Sequence, residues 1–169
     1  GDEGYQTAFF SDIQDFSNFS EALSATELVE LLNEYLTELT DVLLKNNGTL
    51  DKYIGDAIVA FYGAPVPVEK HEYYACITAL QMQSRLNELR EKWKSEGDRW
   101  PVSVHEMRCR IGINSGKMVT GNMGSSTRMN YTMMGDIVNI AARLESSAKY
   151  YGVYIQVGEN TYEAVKNDF

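Results

Sequence analysis

Apolar and polar positions alternate along the chain in blocks of two different periods. Thr7 to Asp12 is a short, almost wholly apolar run, the pattern of a buried strand. Leu28, Leu31, Leu32, Tyr35, Leu36, Leu39, Val42 and Leu43 then recur at helical spacing. Ser24-Ala-Thr-Glu27 has the form of a capping box that starts this helix, and Asn46-Asn47-Gly48 ends it. Tyr53-Ile54 and Ala57 to Tyr62 flank Gly55-Asp56, a dipeptide that favours a tight hairpin turn. A connecting loop, Ala64 to Val68, leads to a second long helix reaching about Ser95, with Ala75, Ala79, Met82, Leu86, Leu89 and Trp93 on one face. Gly97 to Pro101 breaks it.

The second half is expected to be richer in strands. Met107 to Ile113 alternates as a half-buried strand does. Asn114-Ser-Gly116 is expected to turn the chain into a separate strand, Lys117 to Asn122, followed by a turn at Gly124 to Thr127 and a strand Met129 to Met133. Gly135-Asp136 opens a helix to about Lys149, with Asp136 as the expected N-cap. A strand, Val153 to Val157, and a helix from Glu159 follow. Residues 1–6 are polar and read as a linker. The expected fold class is α/β (α+β), one mainly antiparallel sheet with helices packed on one face.

With 169 residues, 44% of them hydrophobic and 23% charged, the chain fits one globular domain, placed at 7–169. No apolar run approaches the roughly 18 residues that span a bilayer. No signal-peptide pattern is present, so no membrane insertion by this segment and a cytoplasmic location of the domain are expected, with membrane tethering of a full-length protein left open. Cys76 and Cys109 lie within apolar patterns and read as reduced core thiols in preference to a disulfide. His71 and His105 show no zinc-ligand spacing. The net charge of −9 argues against nucleic-acid binding through a basic face. The chain begins at Gly1 rather than Met, so a longer parent protein is expected; a fused regulatory domain is a separate expectation.

Candidate chemistry lies at the hairpin. Its turn holds Asp56 at the tip, with Lys52 on the strand leading in, while Asp12 ends the first apolar run. If those strands are neighbours, two carboxylates meet at one sheet edge, where at about 4 Å they repel by roughly 4 kcal/mol. Hard divalent cations such as Mg²⁺ relieve that repulsion and take their other ligands from water and substrate phosphates. Asn139 and Arg143, four apart, share one helix face; taken alone, such a pair reads better as a solvated polar face, and only the neighbouring segment from Tyr131 changes that reading.

Three segments together resemble one family. Phe10-Ser-Asp12-Ile13-Gln-Asp-Phe16, Asp51-Lys52-Tyr-Ile-Gly55-Asp56 and Tyr131-Thr132 through Asn139 and Arg143 are similar, in that order, to the signature segments of class III nucleotidyl cyclase catalytic domains. The resemblance runs from about Thr7 to Thr161. It implies a ferredoxin-like palm core, the nucleotide cyclase fold, and two active sites at a head-to-tail homodimer interface. Asp12 and Asp56, with the Ile13 carbonyl, match the ligands of two Mg²⁺ or Mn²⁺ ions. Lys52 and Thr132 match the purine-reading pair in the form found in the adenylyl subclass that includes bicarbonate-responsive enzymes. Asn139 matches the ribose-orienting residue, Arg143 the transition-state arginine, and Lys117 a basic position near the phosphates. The bend at Gln14 to Ser17 precedes a short helix, so backbone N–H groups at Phe16 and Ser17 are expected to cradle phosphates.

Two departures stand out. Asp15 occupies a position where the family often has Gly. The family's phosphate-anchoring lysine usually lies on a strand beyond Phe169, and Lys166 comes too early to match it, so lower activity than that of a longer chain is expected. The resemblance implies ATP as substrate and an adenylyl cyclase activity. A guanylyl cyclase is disfavoured by Lys52 and Thr132. A catalytically silent dimerisation module is disfavoured by retention of Asp12, Asp56, Asn139 and Arg143. Diguanylate cyclases share the palm core, but their acidic hairpin motif is absent.

Overall fold

Strand β1 (Asp2–Ile13) runs through the middle of a six-stranded sheet and carries the deepest part of the core. The computed structural model describes residues 1–169. After β1 come helices α1 (Phe16–Ser20) and α2 (Ala25–Lys45), strands β2 (Thr49–Ile54) and β3 (Ala57–Tyr62), and helix α3 (His71–Ser95). A 3-10 turn (Gly97–Arg99) and short α4 (Val102–His105) lead to β4 (Cys109–Ser125), β5 (Arg128–Met134), α5 (Asp136–Tyr151), β6 (Ile155–Val157) and α6 (Glu159–Val165). The strand order is β2-β3-β1-β4-β5, antiparallel throughout, with β6 added parallel to β4.

The expected α/β class holds, but both faces of the sheet are covered, not one. Successive strand side chains point to opposite faces, and a run such as Ala57–Tyr62 has no polar face to leave in water. Phe9, Ala60, Tyr62, Ile111 and Ile113 pack under α2 and α3. Ala8, Val59, Phe61, Met118 and Met133 pack on the other side against Val138 and Ala141 of α5. The capping box forms as the sequence predicts: Ser24 accepts from the Glu27 amide, and the Glu27 carboxylate from the Ser24 amide. No helix is long and apolar enough to cross a membrane, and both cysteines are free and buried.

Three local expectations are corrected. Residues 2–6 are the start of β1, not a linker, because their backbone pairs in register with Gly116 to Thr120 of β4. Asn114-Ser-Gly116 does not turn; β4 runs straight through it between β1 and the end of β6. The polar side chains there are satisfied in the interior, Asn114 donating to the Ile137 carbonyl at 3.1 Å and Ser115 Oγ lying 2.7 Å from Thr161 Oγ1. Finally, the α5 N-cap is Gly135, at φ 138° and ψ 170°, a conformation essentially confined to glycine. Asp136 is instead the first helical residue, where its charge favours the helix N-terminus.

Candidate active site

β1 ends where the β2–β3 hairpin turns. Ile54 pairs with Ala57, leaving Gly55-Asp56 as a two-residue turn with Gly55 at φ 60°. Asp56 Oδ2 accepts the Ile13 amide proton at 2.7 Å, which pins the hairpin tip to the end of β1. Asp12 is directly opposite Arg110 across β1 and β4, with Arg110 Nη2 3.5 Å from Asp12 Oδ1. Arg110 Nε is in turn 3.6 Å from Glu145 Oε2 of α5.

This corner is electrostatically loaded. Burial raises the Asp12 carboxyl above its ordinary range, against the opposing pull of a proton shared with Glu145 and of Arg110, and the charge of Asp56 raises it further. Glu145 is pushed up to about 8, first by burial and then by the negative charge of Asp12. Asp12 Oδ1 is buried without a hydrogen-bond partner. An orphaned carboxylate oxygen beside a second carboxylate is a fitting seat for a hard divalent cation, which prefers oxygen ligands. The site offers two carboxylates; no cluster of three or more His, Cys, Asp or Glu forms a closed cage.

A second group assembles on the outer strands. Thr132 of β5 donates its hydroxyl proton to Asp51 Oδ2 at 2.5 Å, and Lys52 Nζ is 3.6 Å from Asp51 Oδ1. Lys52 and Thr132, eighty residues apart in sequence, therefore sit on one carboxylate. Asn139 and Arg143 lie on the exposed face of α5, while Val138, Ala141, Glu145 and Ala148 line its buried face. Neither Asn139 nor the Arg143 guanidinium has a hydrogen-bonding or ionic partner in the chain, nor does exposed Lys117. Phe16 and Ser17 open α1; Phe16 stacks edge-on against Phe19 with ring centroids 5.4 Å apart, and Ser17 is exposed. The Gln14 amide is already bonded to the Arg108 carbonyl at 2.8 Å, so it offers nothing to a phosphate. Asp15 holds a left-handed conformation, φ 54°, which explains why glycine suits that position.

The chain thus brings together Asp12, Ile13 and Asp56 as one group, and Lys52 with Thr132 as another. No hydrogen bond or ion pair joins the first group to Lys52, Thr132, Lys117, Asn139 or Arg143. Sequence reasoning missed Arg110, Glu145 and Asp51. Glu145 had a usable signal: a charged residue in step with Val138, Ala141 and Ala148 on an apolar stripe.

The family model described as the adenylate and guanylate cyclase catalytic domain matches residues 3–169. The chain belongs to that family. It is 38% identical over 149 residues to adenylate cyclase 1 of Rhizobium meliloti, covering 88% of this chain and 22% of that relative's length. The crystal structure of the adenylyl cyclase CyaB from P. aeruginosa is similar with a TM-score of 0.87 at 36% identity, covering 99% of this chain and 84% of that one. That of the guanylyl cyclase Cya2 is similar at 0.85 and 32%, covering 97% and 79%. The domain is a nucleotide cyclase catalytic domain, and its fold is common to enzymes of both base preferences.

Proposed function

We propose that the domain cyclises ATP to 3′,5′-cyclic AMP and pyrophosphate, at two centres shared across a head-to-tail homodimer. The observation that carries the choice of base is the convergence of Lys52 and Thr132 on Asp51. A lysine ammonium only donates and suits adenine N1, whereas a threonine hydroxyl accepts from the adenine 6-amino group. Guanine presents an N1–H donor and an O6 acceptor at the same places, so Lys52 meets it with the wrong polarity.

The lack of any hydrogen bond or ion pair between the two groups within one chain supports the shared arrangement. One protomer would contribute Asp12, Ile13 and Asp56, and its partner Lys52, Thr132, Asn139 and Arg143. Asn139 holds the ribose so that its 3′-oxygen faces the α-phosphorus, a positioning effect that removes much of the entropic barrier. As the 3′-oxygen bonds to phosphorus and pyrophosphate leaves, Arg143 stabilises the charge gathering on the phosphoryl oxygens. Its lack of an acidic partner in the chain leaves it free for that role. Lys117 and the Phe16 and Ser17 amides bind the phosphates. Asp12, Asp56 and the Ile13 carbonyl would hold two Mg²⁺ or Mn²⁺ ions, whose chemistry when bound is to acidify the 3′-hydroxyl and screen the triphosphate.

Similarity to Cya2 favours guanylyl cyclisation as the second reading. Incubating the purified protein with Mn²⁺ or Mg²⁺ and either ATP or GTP separates the two. The expected result is cyclic AMP, with kcat/KM for ATP above that for GTP. A preference for GTP overturns the adenylyl assignment, and no cyclic product from a folded dimer with either nucleotide supports a silent module.

A further inference from the structure

The Asp51 side chain is 1% exposed, yet it belongs to neither the cation-binding pair nor the base-reading pair. Strand geometry alone would point Asp51 and Lys52 to opposite faces. The register explains why it does not: Leu50 pairs with Ala60 and Lys52 with Val59, so Asp51 is the extra residue of a β-bulge. A bulge re-aims side chains. Here it brings Asp51 and Lys52 together and lets Asp51 reach Thr132, on the strand at the opposite end of the sheet order.

A hydroxyl has one proton to give and two lone pairs, while an ionised carboxylate only accepts. With its proton directed to Asp51 Oδ2, Thr132 has only lone pairs left for a ligand. We infer that Asp51 is a specificity-positioning residue: by holding the Thr132 proton it makes that hydroxyl an acceptor for the substrate's 6-amino group and closes it to a 6-oxo group. Asp51 Oδ1, which has no hydrogen-bond partner, keeps the Lys52 ammonium beside the same spot. Threonine alone is ambivalent towards adenine and guanine; threonine on Asp51 is not. The inference rests on the reading that Lys52 and Thr132 face the base.

The test is Asp51→Asn, which keeps the shape but can donate as well as accept, so that Thr132 is freed to donate to guanine O6. The ATP-to-GTP ratio of kcat/KM should fall about tenfold or more, the effect of reversing one buried hydrogen bond. In a Thr132→Val background the same substitution should change the ratio less than about twofold, because no hydroxyl remains to be oriented. An unchanged ratio in Asp51→Asn, or an equal fall in the Thr132→Val background, overturns the inference while leaving ATP preference in place. Unmodified protein that prefers GTP overturns the functional reading itself. Should Asp51→Asn fail to fold, the unmodified protein decides with two analogues that both keep N1 as an acceptor for Lys52. The triphosphate of 6-methoxypurine riboside, with an acceptor at position 6, should be used about tenfold or more less well than that of unsubstituted purine riboside. Equal or better use of the 6-methoxy analogue means that Thr132 donates, and the inference fails.

Discussion

Replacing Gly112 by alanine tests how helix α5 is seated. Gly112 lies on β4 between Ile111 and Ile113, on the face covered by α5. A Cβ there would stand 2.3 Å from the Glu145 nitrogen, 2.4 Å from the Ala141 oxygen and 2.9 Å from Glu145 Cα. All three atoms are helix backbone and cannot rotate aside as a flexible side chain would. Restoring ordinary contact moves α5 off the sheet by about 1 Å, and overpacking of this kind costs about 1–3 kcal/mol. With a urea m-value of about 1–3 kcal/mol/M, the unfolding midpoint followed by far-UV circular dichroism should fall by roughly 1 M. The helix carries Asn139 and Arg143, the residues proposed above to hold the ribose and the transition state, and a displacement of about 1 Å in such groups costs on the order of 10²-fold in rate. Cyclic nucleotide production should therefore fall far more than the stability loss explains at temperatures where the variant is folded. A Gly112→Ala protein with an unchanged midpoint and normal kcat would refute the close seating of α5 on β4.

Other outcomes follow from the loaded corner at Asp12. Asp12→Asn should not lower the stability of the metal-free protein, because burial and Asp56 already oppose the Asp12 charge; it should abolish both turnover and the rise in Tm that Mn²⁺ or Mg²⁺ gives the unmodified chain. A normal cation-induced Tm shift in Asp12→Asn would remove Asp12 from the ligand set. Glu145 is held near 8 in the folded chain against an ordinary value of 4.5. Between those values the folded state keeps a proton that the unfolded state releases, so stability falls as pH rises. Asp12, raised for the same reason, adds to the fall. Urea midpoints of metal-free protein from pH 5 to 8.5 should decline, and Glu145→Gln should flatten most of the decline; an identical slope would show that Glu145 is not the group responsible.

What was legible in the sequence was what short-range pattern determines. The Gly55-Asp56 turn, the Ser24 capping box and the apolar stripes of α2 and α3 need no distant partner to be recognised. Residues 2–6 and Asn114-Ser-Gly116 were misread because their strand character comes from pairing across the sheet, which overrides their polar or turn-forming composition. Cover on the second face was missed, although the unbroken apolar run Ala57–Tyr62 has no polar face to leave in water, because which helix supplies that cover depends on topology. At the site, the motif order pointed to Asp12 and Asp56, and the structure joins them through the Ile13 amide. The Asp51–Thr132 contact could not be read, since it needs both the β-bulge and a sheet curved enough to bring its outer strands together. Arg110 reads as one polar position in an alternating strand until Asp12 is placed opposite it.

If each chain carries two complementary halves of different active centres, two inactive variants mixed together should restore each other. Asp56→Ala loses the cation half and Arg143→Ala the transition-state half, so each homodimer should be inactive. In an equimolar mixture allowed to exchange subunits, half the dimers are mixed and each has one intact centre, so roughly a quarter of the unmodified activity should return. Heterodimers that form but make no cyclic AMP would show that the centres are not shared between chains.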